Sequence, residues 1–215
     1  MNVQIRAAAY GSKEGGWRTW RAPEVFERVV EYPYALSWLK EARGRRVLDV
    51  GCGPYCVLSQ MLMCINYDVT VTDFSPSTGV VTQDDICKSK LPGAAYDAVF
   101  CVSALPHVYD KDAALGHIAR VAKPGAVIVI TCGYSHDHRT KTGSGYVRQS
   151  VEAATPGCRT ICAEDVQRWS TLFDSMIDLT YWRAWEDGWY VGRRLVFPVR
   201  CDAVEGQLIG MVLRR

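Results

Sequence analysis

The stretch "VLDVGCGPYC", Val47 to Cys56, decides how the chain folds. The apolar run "RRVLDV" reads as a short buried strand over residues 46–50, and "GCGP" forces a tight turn. Beyond it, "YCVLSQMLMCI" resumes an apolar pattern long enough for a helix, expected over residues 55–66. Strand, glycine turn and helix form a unit that cradles a nucleotide. Gly51 and Gly53 let the backbone approach a ligand closely, and the first N–H groups of the helix have no partner within it. Dinucleotide enzymes use this turn with the pattern G-x-G-x-x-G/A, but the third glycine place here holds Cys56, which tells against a nicotinamide cofactor. The next strand, "YDVTVTDFS", ends in Asp73, about 20 residues past the turn, where a carboxylate can accept both hydroxyl protons of a ribose.

The bounds set by composition are ordinary. The chain has 215 residues, of which 48% are apolar and 22% charged, enough for one domain with a real core. No apolar run reaches the length of a membrane span and the first twenty residues lack a signal-peptide core, so a cytoplasmic protein is expected. The nine cysteines are odd in number and contain no C-x-x-C pair, which reads as reduced, mostly structural thiols. Cys52/Cys56 and Cys158/Cys162 are each four apart with no clustered histidines, so structural zinc is not expected. A net charge of +2 announces no polyanionic partner. Arg18 and Arg21 with Trp17 and Trp20 could stack on bases, but they read more simply as a segment covering the core.

Along the chain, apolar spacing predicts a helix over 23–31 and a second starting at Pro33, together a helical cap ahead of the sheet. Further strands are expected over 68–73, 79–82, 96–103 and 126–132, with a helix over 110–122 before the last. Between the strands at 68–73 and 79–82 the connection is too short for a crossover helix, so either that helix is lost or the strand is irregular. Residues 133–159 read as a long loop beside the strand ends, 163–176 as a helix, and "DLTYWRAW" and "QLIGMVL" as closing strands. The stretch 186–206 has no clear pattern. Alternating strands and helices give a mostly parallel α/β sheet, doubly wound, with helices on both faces.

In order, "LDVGCGP", "VTVTDFS", "QDDI", "YDAVFCVSALPHV" and "IARVAKPGAVIVIT" resemble the class I S-adenosylmethionine-dependent methyltransferases, over residues 45–131. The resemblance implies a Rossmann-like, seven-stranded sheet with its last strand antiparallel, and an enzyme that uses S-adenosyl-L-methionine. Residues 1–44 would be the cap, 45–132 the cofactor-binding core and 133–215 the acceptor-side loop and final strands of a single domain. Carried over, Asp49, Gly51 and Gly53 would lie along the methionine portion of the cofactor and Asp73 would bind the ribose, with Cys52 and Phe74 as further cofactor-binding residues. Asp85 and Ile86 would hold the adenine, with Asp84 the alternative to Asp85, and Ser103 would border the methionine. Tyr55 stands where many members have a small residue. A ring filling the pocket there would support a second reading, a catalytically silent relative that binds cofactor or a partner.

A sulfonium methyl is already electrophilic, so positioning supplies much of the rate. For a hydroxyl acceptor a base helps, and His107, in "SALPHVYD", is the candidate; its competing role is packing at the strand–helix corner. Tyr134, His136 and His138 are candidate acceptor contacts. With Asp137 the two histidines could ligate a metal, but adjacent residues in one loop rarely converge, and no metal site is expected. The strand-four end carries "SALP" instead of an Asn/Asp-Pro-Pro-aromatic motif, and no cysteine follows a proline. A small-molecule, sugar or lipid-linked acceptor is therefore favoured over nucleic acid. The sequence does not set the oligomeric state.

Overall fold

Val47 and Leu48 are successive residues of one strand and enter opposite cores, the mark of a strand covered on both faces. The computed structural model describes residues 27–76, 79–134, 161–185, 188–191, 194–198 and 207–215. In it β1 (Arg46–Val50) is buried at every position after the first. It lies between β2 (Asp68–Asp73) and β4 (Tyr96–Val102), parallel to both. β3 (Thr82–Gln83) adds parallel to β2 at one edge. On the other side β5 (Ala122–Gly133) pairs parallel with β4, and β9 (Gln207–Arg214) runs antiparallel between β5 and β6 (Ser175–Trp185). These seven strands, in the order β3-β2-β1-β4-β5-β9-β6, are the expected sheet.

Two further strands lie in the stretch that has no sequence pattern. β7 (Gly188–Val191) pairs with the end of β6, and β8 (Arg194–Pro198) pairs with β7, making the sheet nine-stranded among the described residues.

Helices cover both faces. α1 (Arg28–Ser37) and α2 (Val57–Cys64) bring Ala35, Leu58 and Leu62 onto Val47, Phe100 and Val129. α3 (Lys111–Val121) and α4 (Ala163–Ser170) bring Leu115, Ile118, Val166 and Trp169 onto Leu48, Val99 and Ile128. α3 starts where Asp110 accepts a hydrogen bond from the Ala113 N–H at 2.9 Å, an N-cap that satisfies one orphan donor.

Some elements differ from their sequence expectation, each for a local reason. Pro33 does not start a second helix; α1 runs through it, with the proline exposed and Val30, Glu31 and Ala35 buried. Packing of that face outweighs the backbone hydrogen bond Pro33 cannot donate. The expected start of the cap at Pro23 lies outside the described residues. The helix expected to reach residue 176 stops at Ser170. There the hydroxyls of Ser170 and Thr171 bond back to carbonyls three residues earlier, and Ser175 onward pairs with β9. β3 is two residues long and begins where its expected span ends, an irregular strand.

The strand order reverses between β1 and β4. In such sheets the crevice at the carboxyl ends of the strands, at this reversal, is where ligands sit.

Candidate functional site

At the end of β1 the chain turns sharply because the N–H groups of Gly51 and Cys52 both donate to the Thr72 carbonyl of β2, at 2.9 and 3.1 Å. Gly51 and Gly53 adopt φ of +69° and +68°, the left-handed region that glycine occupies without cost. Their surroundings differ. A Cβ on Gly51 would fall 2.5 Å from the Cβ of Ala104, so that glycine serves close approach of the turn after β4. A Cβ on Gly53 would meet nothing within 4 Å among the described residues. Cys56, in the third glycine place, is also left-handed at φ +48° and stands at the N-cap of α2.

The Gly53 N–H donates to Asp73 Oδ2 at 3.0 Å, and the Ser75 N–H donates to Asp73 Oδ1 at 2.9 Å. The carboxylate that ends β2 is thereby fixed beside the turn, with Phe74 exposed next to it. Asp49, only 2% exposed, accepts from Ser59 Oγ of α2 at 2.5 Å. Burial pushes its pKa up to about 6; the Ser59 hydrogen bond opposes this and the charge of Asp73 adds to it. The folded protein therefore holds the Asp49 proton more tightly than the unfolded chain. The stability this confers is complete below the ordinary carboxylate value of 3.8 and is lost as pH rises through about 6. Urea unfolding should show wild type losing ~3 kcal/mol between pH 4 and 7 relative to Asp49→Asn, whose amide carries no charge. Parallel pH dependences would refute the assignment.

Following β3, Asp85 accepts from the Cys87 N–H at 3.0 Å with Oδ1 and from the Tyr109 hydroxyl at 3.0 Å with Oδ2, while Ile86 is buried. Asp84 is different: its Oδ2 is buried and has no hydrogen-bond partner among the described residues. A buried acceptor left empty costs about 1–3 kcal/mol, which a donor on a ligand would recover.

At the end of β4, Ser103 is held at φ +53° by its N–H, which donates to Thr131 O of β5 at 2.7 Å. Its hydroxyl points to Glu31 of α1, 2.7 and 3.0 Å from the two carboxylate oxygens. Thr131 Oγ1 donates to the same carboxylate at 2.8 Å, and Arg28 completes the set as an ion pair. Glu31 is 0% exposed. Sequence reading missed it, although its signal was present: an acidic residue four before the buried Ala35, on the helix's inward face. Replacement by alanine strips the buried Thr131 hydroxyl and the half-buried Ser103 hydroxyl of their acceptor. The Arg28 partner is 35% exposed, so its share is discounted for solvent. Glu31→Ala should lower stability by about 3 kcal/mol, which is roughly 6–12 °C in Tm. Glu31→Gln should lose less; a calorimetric scan that finds alanine harmless would show that the cap is not anchored here.

His107 ends the 3-10 turn Leu105–His107 just past β4, exposed to solvent. Partial burial, then the charges of Arg28 and Lys111, hold its pKa below the ordinary 6.5. Tyr134 is buried beyond the end of β5, its ring edge-on to Tyr181 at 4.9 Å between centroids. His136, Asp137 and His138 lie outside the described residues. Among the described residues no group of three metal-ligating side chains converges. Tyr55 is 60% exposed, so among the described residues none packs against most of its ring.

A parallel sheet with a reversal of strand order, a left-handed glycine turn and a carboxylate fixed at the end of β2 are the features of a Rossmann-like fold. The family model described as "Methyltransferase domain" matches residues 48–130, which hold both the turn and Asp73. Over those residues the chain is similar to the S-adenosylmethionine-dependent methyltransferases, the class its motifs resemble. It is 27% identical over 135 residues to an O-methyltransferase of Pyrenophora dematioidea, covering 52% of this chain and 50% of that protein. To a ubiquinone biosynthesis O-methyltransferase of Dechloromonas aromatica (strain RCB) it is 26% identical over 166 residues, covering 65% and 69%. In fold it matches a SAM-dependent methyltransferase from Archaeoglobus fulgidus with a TM-score of 0.60 at 15% identity, covering 89% of this chain and 97% of that one. The chain spans half or less of the length of three curated relatives it matches, 50%, 34% and 39%. Among the described residues no helix is long and apolar enough to cross a membrane.

Proposed function

We propose that the protein methylates a hydroxyl group of a small molecule, with S-adenosyl-L-methionine as donor. The observation that supports this is the Gly53–Asp73 hydrogen bond, which fixes a carboxylate suited to ribose hydroxyls beside a turn with open space over Gly53 among the described residues. The residues present fit that cofactor. Asp73 would take the ribose hydroxyls, Phe74 and Ile86 would flank the adenine, and the empty Asp84 Oδ2 or the Asp85 carboxylate would meet its amino group. Asp49, Gly51 and Cys52 would run along the methionine portion, where a cation beside Asp49 offsets the cost of ionising that buried carboxylate.

When bound, the cofactor supplies an electrophilic methyl on a cationic sulfur. The chain's own task is to orient the acceptor and take its proton. His107 stands past the end of β4 and is neutral at pH 7, so it can accept a hydroxyl proton. The Ser103 hydroxyl is turned toward Glu31, so this residue would border the methionine with its backbone. Tyr134, with His136 and His138, would form the acceptor side. The relatives named O-methyltransferases support a hydroxyl acceptor, and a quinol or phenol is the first class to try. We read residues 1–44, 45–132 and 133–215 as cap, core and acceptor side of one domain, supported by the single sheet. Free thiols among the described cysteines suit a reducing cytoplasm.

The test is transfer of a labelled methyl group to a panel of quinols, catechols and amines. Transfer to hydroxyl acceptors is expected. Transfer to amines alone would refute the hydroxyl reading, and tight cofactor binding with no transfer to any acceptor class would favour the silent relative. The cofactor site has its own check. Asp73→Ala removes a charge-assisted acceptor from two hydroxyls and should weaken calorimetric binding of S-adenosylmethionine by roughly ten- to a hundredfold. Wild-type affinity in the folded variant would move the ribose elsewhere.

A further inference from the structure

Cys52 and Cys56 are four residues apart in sequence, yet the turn brings their sulfurs within 3.4 Å of each other. Both also lie near the same backbone oxygen, Gly53 O, at 3.3 Å from Cys52 Sγ and 3.6 Å from Cys56 Sγ. The convergence depends on the turn's geometry: Gly53 and Cys56 are both left-handed, so the chain doubles back over the intervening residues. We propose that this pair is a redox modification site, closing to a Cys52–Cys56 disulfide that switches off the cofactor turn.

The chemistry balances with a disulfide oxidant such as glutathione disulfide. The sulfur of Cys52, the more exposed of the two, attacks the oxidant as thiolate, forming a mixed disulfide and releasing one glutathione thiolate. Cys56 then attacks the Cys52 sulfur and expels the second glutathione. Two protein thiols lose two electrons and two protons; one glutathione disulfide becomes two thiols. Burial first, and the neighbouring Cys56 next, push the Cys52 thiol well above its ordinary pKa. Closure is therefore slow at neutral pH and quickens as pH rises.

Closure reshapes the site. A disulfide needs about 2.05 Å between sulfurs, so the pair must draw in by more than 1 Å. Between them lies Gly53, whose N–H holds Asp73 at 3.0 Å. Contracting the loop displaces that N–H and with it the carboxylate. The consequence for S-adenosylmethionine rests on the cofactor reading above; the crosslink itself does not. In the reduced state the two side chains pack beside Val69, Val71 and Val81, the small-hydrophobe role that a purely structural pair would keep under all conditions.

The experiment equilibrates the full chain at graded ratios of glutathione disulfide to glutathione, alkylates free thiols, and maps peptides by mass. A peptide lacking two hydrogens and joined at Cys52 and Cys56 is expected. Both residues alkylated, or each carrying glutathione, at the most oxidising ratio would overturn the site. Calorimetric titration of the two forms with S-adenosylmethionine should show about tenfold or more weaker binding after oxidation, restored by dithiothreitol. Cys56→Ser cannot resolve the mixed disulfide, so it should stop with glutathione on Cys52 and yield no internally crosslinked peptide. A crosslink that leaves affinity unchanged would overturn the switch while the Asp73→Ala titration still stands for the cofactor site. If neither form binds the cofactor, the site reading fails and the switch falls with it, leaving the crosslink to the mass data.

Discussion

Gly53→Val is expected to fold and to lose S-adenosylmethionine binding by about 10³-fold, some 4 kcal/mol. The loss comes from placing a branched side chain in the open space above the turn, where a Cβ meets nothing of the protein within 4 Å among the described residues. The folding cost is separate and smaller. At φ +68° a β-branched residue is strained by roughly 1–2 kcal/mol. Gly51→Val is the contrasting substitution, because its Cβ would sit 2.5 Å from that of Ala104 and must push the turn off β4. Thermal melts beside calorimetric titration of both variants separate the two costs. A folded Gly53→Val protein with undiminished affinity would take the cofactor away from this turn.

His107→Ala is expected to lower kcat with a phenolic acceptor by about 10²–10⁴ while leaving cofactor affinity near wild type. The neutral ring is the active form, and its pKa lies below 6.5, so wild-type kcat should fall as pH drops through that lowered value. The variant should lack this limb. Because the ring is exposed and the turn is held by the buried Leu105 and Pro106, the variant should melt close to wild type. Turnover equal to wild type, with the acid limb intact, would return His107 to a packing role at the strand–helix corner.

These two residues illustrate how much could be read before any folding was known. β1, β4 and β5 are continuous apolar runs covered on both faces, so their signal is carried by residues adjacent in the chain. The glycine turn is equally local, and Asp73 is found by counting along one strand-turn-helix-strand unit. His107 follows from its position after β4. The cofactor class and an antiparallel last strand were expected through the resemblance that these local motifs carry, whereas the strand order comes from the tertiary structure.

Other features exist only through contacts between distant segments. Glu31 is one charged residue in an ordinary amphipathic helix until Ser103 and Thr131, 72 and 100 residues away, present their hydroxyls to it. Pro33 marks a helix start in isolation but lies inside α1, because burying Val30, Glu31 and Ala35 outweighs one missing hydrogen bond. Ser175 and Met176 extend a helical pattern and become strand because β9 pairs with them. β7 and β8 have no periodicity of their own and are ordered as strands by pairing outward from β6. The choice between Asp84 and Asp85 is of the same kind, since which oxygen is left empty depends on where Tyr109 reaches. What the sequence by itself determined are the strands, the turn and the carboxylate that short-range pattern encodes. The tertiary structure alone decided the buried polar anchors and edge strands, because their energies arise from partners that chain proximity does not reveal.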